Sequence, residues 1–572
     1  MRESRAEYRR ASDALAPFKR ILDVYASQWF GNGGEKTGRG KRGTSTDSPA
    51  LGFLKSREAE AFLNARDNKT LKQALKGLSP QVRRIAEAAL AISDEKGFFH
   101  WELEFPEVFY GPRKGTGQAI ERLDDGGFDT VIGNPPYDVL ASEELGYDVS
   151  QDLAFYEATP IYEPAIRGKK NLYKLFVCRG AGIMQGAGAF SFIVPMALLG
   201  DDQAAGVRRL LLEKAGLITI EAFPQKDDPH NRVFGEAKLS TAIFVTRGKP
   251  TGKRFVVRTH AGRLIDCSSL TLELASSEVL AFDPANATIP SCTQEDWKLV
   301  SRLLASKTIR RMGEIAKSFQ GEVNETNERA KGILSSRSTD PLALRGANIC
   351  MYAVREASQG EDVRLQVKKL IAGKAKDAKA FAYKSERTGF QRSSPQNNFR
   401  RIIAARIPRG SFCLDTVSYV TEESSEINLD LLLALLNSKI LDWYFRLGST
   451  NSKVNEYQFN ALPVPAISEA GPDFQWKPLL EKGRWIEIAE LLCSAISQSC
   501  VMPRAVAEAL AEMGRKIQEI EARRILKNRS ERSRLASESQ PIQDGIDAVL
   551  FRCYGLTENE GLYITRRLRE ML

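Results

Sequence analysis

Apolar positions along this chain recur with two periods, and the change of period divides it. Over residues 1–30, Leu15, Phe18, Leu22, Tyr25 and Trp29 return at helical spacing, which predicts an amphipathic helix whose apolar face must dock on something. Residues 52–96 carry the same period and end at Lys96-Gly97. Residues 31–48, rich in Gly, Lys and Thr, show no periodicity and read as a loop. They lack both the Gly-Lys-Ser/Thr ending and the preceding strand of a phosphate-binding loop. From 98 to 247 the pattern alternates: short apolar runs at 130–132, 189–194, 218–223 and 241–246, with helical patterns at 172–184 and 203–215. Such alternation predicts an α/β sheet. The run at 130–132 reads as a buried strand. The last two runs are joined by a loop and not a helix, which predicts an antiparallel hairpin at the sheet edge. Residues 248–300 read as a connector with short strands, and 475–572 as mostly helical. The chain closes near 546–557 with a helix, a glycine stop and a capped second helix.

The densest chemistry lies at the end of the first of those runs, where Phe128-Asp129-Thr130-Val131-Ile132-Gly133 gives way to Asn134-Pro135-Pro136-Tyr137. Two prolines stop both strand and helix, so the carbonyls of residues 134 and 135 are left without regular partners. Together with the Asn134 side chain they can accept hydrogen bonds from an exocyclic amine. Tyr137 can then stack on the ring that carries it. The bland alternative is a rigid strand-to-loop turn.

With Val131-Ile132-Gly133 before it, this turn resembles the catalytic motif of DNA adenine-N6 methyltransferases. The upstream run from His100-Trp101-Glu102 to Pro106-Glu107-Val108-Phe109 is similar to one in type IIG restriction-modification enzymes of the TaqI-like methyltransferase group. The resemblance implies a class I (Rossmann-like) methyltransferase sheet that moves a methyl group from S-adenosylmethionine to an adenine flipped out of a specific duplex site. It implies catalysis by Asn134, Pro135, Pro136 and Tyr137, with Tyr137 and Phe234 stacking on the target base. Phe234, in Asn231-Arg232-Val233-Phe234, could equally be a core phenylalanine near a strand end. Asn171-Leu172-Tyr173 to Phe176 looks like a further family motif, so Asn171, Tyr173 and Phe176 are candidates for part of a cofactor pocket. Asp129 and Asp138 flank the turn as solvated residues or as a general base.

Residues 301–470 resemble the target-recognition domain of the same enzymes, through Phe319-Gln320-Gly321, Leu344-Arg345-Gly346-Ala347-Asn348-Ile349 and Leu433-Ala434-Leu435-Leu436-Asn437-Ser438. Taken alone, Leu433 to Leu436 is plain helix core. The expected organisation is a helical segment 1–97, a catalytic part 98–247, a connector 248–300, an α+β recognition domain 301–470 and a helical region 471–572.

Charge adds a partner. The 572 residues carry a net charge of +10, yet the stretch 364–409 alone holds thirteen Lys or Arg against two acids, a net +11. Phe381, Tyr383, Phe390 and Phe399 are interleaved with them. That mixture suits the backbone of double-stranded DNA. The candidate contacts are Arg345, Lys368, Lys369, Lys374, Arg392, Arg400 and Arg401, the alternative being a solvated loop; Arg515 to Arg534 is a weaker candidate. Eight scattered cysteines and three histidines exclude a disulfide framework or zinc site and fit a reducing cytoplasm. No window reaches the roughly 18 apolar residues of a membrane span.

One departure from the family matters. Its Gly-rich cofactor turn, Pro-x-x-Gly-x-Gly, has no counterpart in residues 1–133, and Gly31-Asn32-Gly33-Gly34 follows a helical pattern and no strand. The sheet is therefore expected to be incomplete. The chain would be the C-terminal part of a larger methyltransferase, either a truncated reading frame or half of a split enzyme whose second polypeptide supplies the cofactor turn. A catalytically inactive DNA-binding fragment is the competing expectation. A restriction endonuclease gains no support, since no Asp…Glu-x-Lys cluster falls on a strand. An uncovered sheet edge also predicts poor solubility of the lone chain.

Overall fold

The computed structural model describes residues 2–32, 48–112, 120–248, 254–266, 269–355, 362–375, 378–395, 398–449, 452–469, 475–497, 499–525 and 529–571. Most of the expected loop at 31–48 lies outside them, as do Lys376 and Asp377 of the basic stretch. The chain forms two compact units: residues 1–198 with 203–255, and 199–202 with 256–572.

In the first unit the predicted helices are present. Helix α1 (Arg2–Ser27) and helix α2 (Pro80–Lys96) enclose Val24, Phe53, Phe62, Ala86 and Ala89. The expected apolar face of α1 is covered only in part: Leu15, Leu22 and Trp29 are half-buried, whereas Phe18 and Tyr25 are exposed. Arg20 donates to the carbonyls of Phe62 and Ala65, and His100 meets Asp23 at 2.8 Å. The run 100–109 clamps the start of the next strand. Trp101, Phe105 and Phe109 stand edge-on to Phe128 at centroid distances of 5.7, 5.2 and 5.8 Å.

The sheet of this unit follows the sequence pattern. Strand β1 (Phe128–Gly133) pairs in parallel with β2 (Met184–Pro195) through the crossover helix α3 (Leu172–Ile183). Helix α4 (Ala205–Glu213) leads to β3 (Leu217–Phe223), and β4 (Thr241–Arg247) runs antiparallel to both β2 and β3. The expected hairpin forms with its last strand turned inward, in the order β1-β2-β4-β3, but it is not the sheet edge, because the sheet has six strands and continues beyond β3. Phe190, Phe192, Val194, Ile220 and Phe244 fill the buried layer, with Phe190 and Phe244 5.0 Å apart edge to face.

Strand β1 departs from expectation. It was read as buried, but Thr130 is exposed and Ile132 is 79% exposed. The cause is position: β1 is the end strand of its sheet and has a single neighbour. An apolar run shows that a segment can be buried, not that something covers it.

The second unit is built on an antiparallel sheet. Strands β5 (Ala316–Gln320), β6 (Arg387–Gln391), β7 (Ala404–Ile407) and β8 (Val417–Ser425) lie in the order β5-β8-β6-β7. Helices α5 (Leu429–Leu436) and α6 (Lys439–Leu447) follow, and every residue of α5 except Asp430 is buried. Between them Asn437 exchanges two 3.0 Å hydrogen bonds with the main chain of Ala404, tying the helix turn to β7. Three longer helices close the unit: α7 (Arg504–Ile525), α8 (Arg529–Cys553) and α9 (Glu558–Glu570). The predicted ending is present, with Gly555 at φ +70° and Thr557 capping α9 in a reciprocal pair with Glu560.

Two ion pairs in this unit carry different energies. Arg387 and Glu322 meet at 3.0 Å with both side chains fully buried, and the guanidinium lies 4.9 Å over the Tyr419 ring. Removing one partner leaves an uncompensated buried charge. We predict that Glu322→Gln lowers stability by about 3–5 kcal/mol in urea unfolding, and that Glu322→Leu/Arg387→Met loses less than either single change. Arg302 and Glu560 form a bidentate pair at 2.8 Å on the surface. Those bonds, aided by the Thr557 N–H, pull the Glu560 carboxyl down to about 2. A lowered carboxylate pKa stabilises the folded chain above pH ~4.5, and that contribution fades as pH falls toward about 2. Arg302 is half exposed, so the expected gain over Glu560→Gln is only about 1 kcal/mol at pH 7. Urea midpoints should show that gap closing by pH 3.

Candidate active site and basic surface

The Asn134–Tyr137 turn sits where β1 ends, and three local constraints shape it. At Gly133 a Cβ would come within 3.0 Å of the Phe192 ring, so glycine allows β1 to lie close on β2. Pro135 is buried while Asn134 and Pro136 are exposed. Among the described residues no hydrogen bond reaches the Asn134 or Pro135 carbonyl, so both remain available as acceptors. Tyr137 is half-buried, and its hydroxyl donates to the carbonyl of Ile193 on β2 at 3.2 Å. Burial pushes the phenol up to about 12, so it stays protonated and serves as ring and donor, not as a base.

Phe234 joins this turn. Its ring centroid lies 6.1 Å from that of Tyr137 at an interplanar angle of 65°. The loop carrying it is closed by Ser240 Oγ donating to the Pro224 carbonyl, and it is braced where Asp228 accepts from His230 N and Asn231 Nδ2. Phe234 is half-buried and faces Tyr137, an arrangement that fits both readings left open for it.

Asn171 is also brought in. Residues 138–140 run beside 170–172, through Leu172 N to Asp138 O at 2.8 Å, Leu140 N to Lys170 O at 2.9 Å and a bridge between Val139 and Asn171. Asn171 then caps α3, placing Phe176, 45% exposed, just over one turn on. Tyr173 departs from expectation. It is 3% exposed because it lies on the buried face of α3 with Val177 and Gly180, so it is a packing residue and not a cofactor contact. The Gln185 side chain donates to the Asp129 carboxylate. Asn171 and Phe176 offer one wall for an adenosyl group. A Gly-rich turn between strand and helix is absent from the described residues ahead of β1, so these residues alone do not fit S-adenosylmethionine.

In the second unit, several residues read as DNA contacts are otherwise engaged. Arg401 is 1% exposed, its guanidinium 5.1 Å over Phe445, and burial lowers it to about 10; it is a core residue. Arg345 is held by both oxygens of Glu325 at 2.8 and 3.1 Å. Arg400 and Arg392 are half-buried, donating to the carbonyls of Ser438 and Asp415. Lys368, Lys369 and Lys374 are exposed. The interleaved aromatics also sort: Phe390 stacks on Phe459 and Tyr383 on Phe412, whereas Phe399 is 60% exposed. A linear charge count could not have separated them, because the groups that engage them, such as Glu325 and Phe445, come from distant parts of the chain. Among the described residues no cluster of His, Cys, Asp and Glu could hold a metal, and no helix is long and apolar enough to cross a membrane.

Residues 53–228 match the family model described as Eco57I restriction-modification methylase, a stretch that includes the Asn134–Tyr137 turn and Asn171–Phe176 and stops short of Phe234. Over that stretch the chain is similar to restriction-modification methylases, in line with the resemblance read in the sequence. No curated protein matches it. Similar solved structures include the type IIL restriction-modification enzyme MmeI in complex with DNA, at 12% identity, covering 86% of this chain and 64% of that one, with a TM-score of 0.43. Another is the type IIG restriction endonuclease BpuSI, at 14% identity, 96% and 66% coverage and a TM-score of 0.28. A third is a nuclease-deletion mutant of the type ISP enzyme LlaGI with a DNA substrate mimic, at 10% identity, 83% and 40% coverage and a TM-score of 0.37. The chain spans less than two thirds of each of these proteins, and no residue role is taken from them.

Tyr137→Phe tests the geometry of the turn. It removes the bond to Ile193 and keeps the ring, so urea unfolding should show a loss of about 1 kcal/mol. DNA affinity should stay at the parent value.

Proposed function

We propose that this chain is the target-base and DNA-reading part of a site-specific DNA adenine-N6 methyltransferase of a restriction-modification or phage-defence system. The observation that carries the reading is the unpaired Asn134–Pro135 backbone beside the facing rings of Tyr137 and Phe234. Adenine N6 is a poor nucleophile because its lone pair is delocalised into the ring. The Asn134 amide oxygen and the Pro135 carbonyl would accept both amino hydrogens, favouring a more tetrahedral nitrogen with its lone pair aimed outward. Stacking on Tyr137, with Phe234 at the side, would hold a base that has left the duplex. S-adenosylmethionine is the methyl donor this family implies; since the residues described do not complete its site, no transfer step is derived through it.

A second reading has its own observation. Among the described residues no strand pairs with the outer edge of β1, and Ile132 on it is 79% exposed. Such an edge is suited to a second polypeptide that brings the cofactor half, in which case the isolated chain binds duplex DNA without transferring methyl groups.

Labelled S-adenosylmethionine and duplex DNA separate these readings. In the first, Asn134→Ala loses at least about 100-fold in transfer while retaining DNA affinity. In the second, the isolated chain shows neither transfer nor calorimetric cofactor binding, and both return on addition of the complementary polypeptide. Cofactor binding of ordinary affinity by the isolated chain would sink the second reading. Loss of DNA binding together with transfer in Asn134→Ala would sink the catalytic role of Asn134.

A further inference from the structure

The exposed ring of Phe399 is the anomaly of the basic stretch. Its neighbouring aromatics are spent on packing, whereas Phe399 stands at the wall of a cavity of about 420 Å³. Three segments distant in sequence meet there: 347–355, 391–403 and 521–532. Arg355, Arg524 and Arg532 line it with Gln391 and Asn398. Glu521 is the one acid among its lining residues, and its oxygens are committed to Ser539 Oγ and Arg524 Nη1, both at 2.8 Å. Arg355 and Arg532 are exposed, so the mouth keeps an excess of two positive charges. The mount of the ring is fixed, because Arg446 Nη2 donates to the Asn398 carbonyl at 2.8 Å and Asn398 Oδ1 accepts from Phe399 N at 3.1 Å. Gln391 Nε2 donates to Ile349 O at 2.7 Å, which leaves its Oε1 as an acceptor at the wall.

An exposed aromatic face, the exposed guanidinium of Arg355, that of Arg532 with one nitrogen on the Ile525 carbonyl and the rest exposed, and an amide acceptor in a space of this size match one chemical class. We propose that this cavity binds a nucleotide, its base stacked on Phe399 and its phosphate held by Arg355 and Arg532. An acidic peptide would use the arginines and leave the ring bare. The inference rests on the DNA-binding reading for its source, a nucleotide within a DNA strand, while a free nucleotide shares the chemistry.

The test uses the full chain with Phe399→Trp, read against Phe399→Leu to subtract the six native tryptophans. It is titrated with a 20-mer duplex, the corresponding single strand, dAMP and a phosphotyrosine peptide. Quenching of the new indole by DNA is expected, with Phe399→Ala weakening strand binding about tenfold. Arg355→Ala/Arg532→Ala should lower the salt slope of DNA binding by about two. Because Phe399 is exposed, urea midpoints of its variants should match the parent. Quenching by dAMP and not by DNA assigns the cavity to a free nucleotide. Quenching by the peptide alone, or by nothing while Phe399→Ala binds like the parent, overturns the proposal. Adenine methylation in the host, compared between the intact and deleted reading frame, keeps the two readings apart: quenching with methylation unchanged by the deletion sinks only the methyltransferase reading, and methylation that depends on the frame without quenching sinks only this one.

Discussion

Among the described residues strand β1 has one neighbour, and two prolines follow its end. The first condition leaves its outer edge uncovered; the second keeps the backbone just beyond it from pairing with anything. Everything proposed for the first unit depends on that unpaired backbone. A residue able to continue the ladder at position 135 would let the turn fold back on β2, and the acceptors would be consumed. The aromatic clamp of Trp101, Phe105 and Phe109 fixes the other end of the strand, so the position of the turn is set from both sides.

The same logic gives Tyr137 and Phe234 their relation. Tyr137 reaches β2 through its hydroxyl, while Phe234 comes from the loop joining β3 to β4, whose ends are held together because those strands are paired. Asn171 arrives through the short ladder of 138–140 with 170–172. Four stretches far apart in sequence thus converge at one end of a sheet whose strand order alone makes them neighbours. In α/β sheets the carboxyl ends of the strands are where ligands are bound, and β1 and β2 both end here.

Much of this was legible in the sequence, because the features concerned are local. The proline pair, the period change near residue 98, the Leu433–Leu436 core helix and the Gly555–Thr557 stop and cap each state their geometry within a few residues. What escaped was neighbourhood. Nothing within the run Thr130-Val131-Ile132 says that it will be an end strand. Nor does a net charge of +11 say that Arg401 lies over Phe445 in the core or that Arg345 is locked to Glu325. Tyr173 and Phe176 share one helix, yet three residues of offset bury one and expose the other. The cavity beside Phe399 was the least legible of all, since one of its walls comes from a segment more than a hundred residues beyond the others.

If the Asn134–Tyr137 turn holds adenine for methylation, the mark should be written in the genome of the host. Long-read detection of modified adenines, with this reading frame intact, deleted or carrying Asn134→Ala, reads that mark and its sequence context together, whether or not a second polypeptide takes part. N6-methyladenine at one recurrent sequence, present only with the intact frame, is the expected result. An adenine methylation pattern unchanged across all three strains would contradict it.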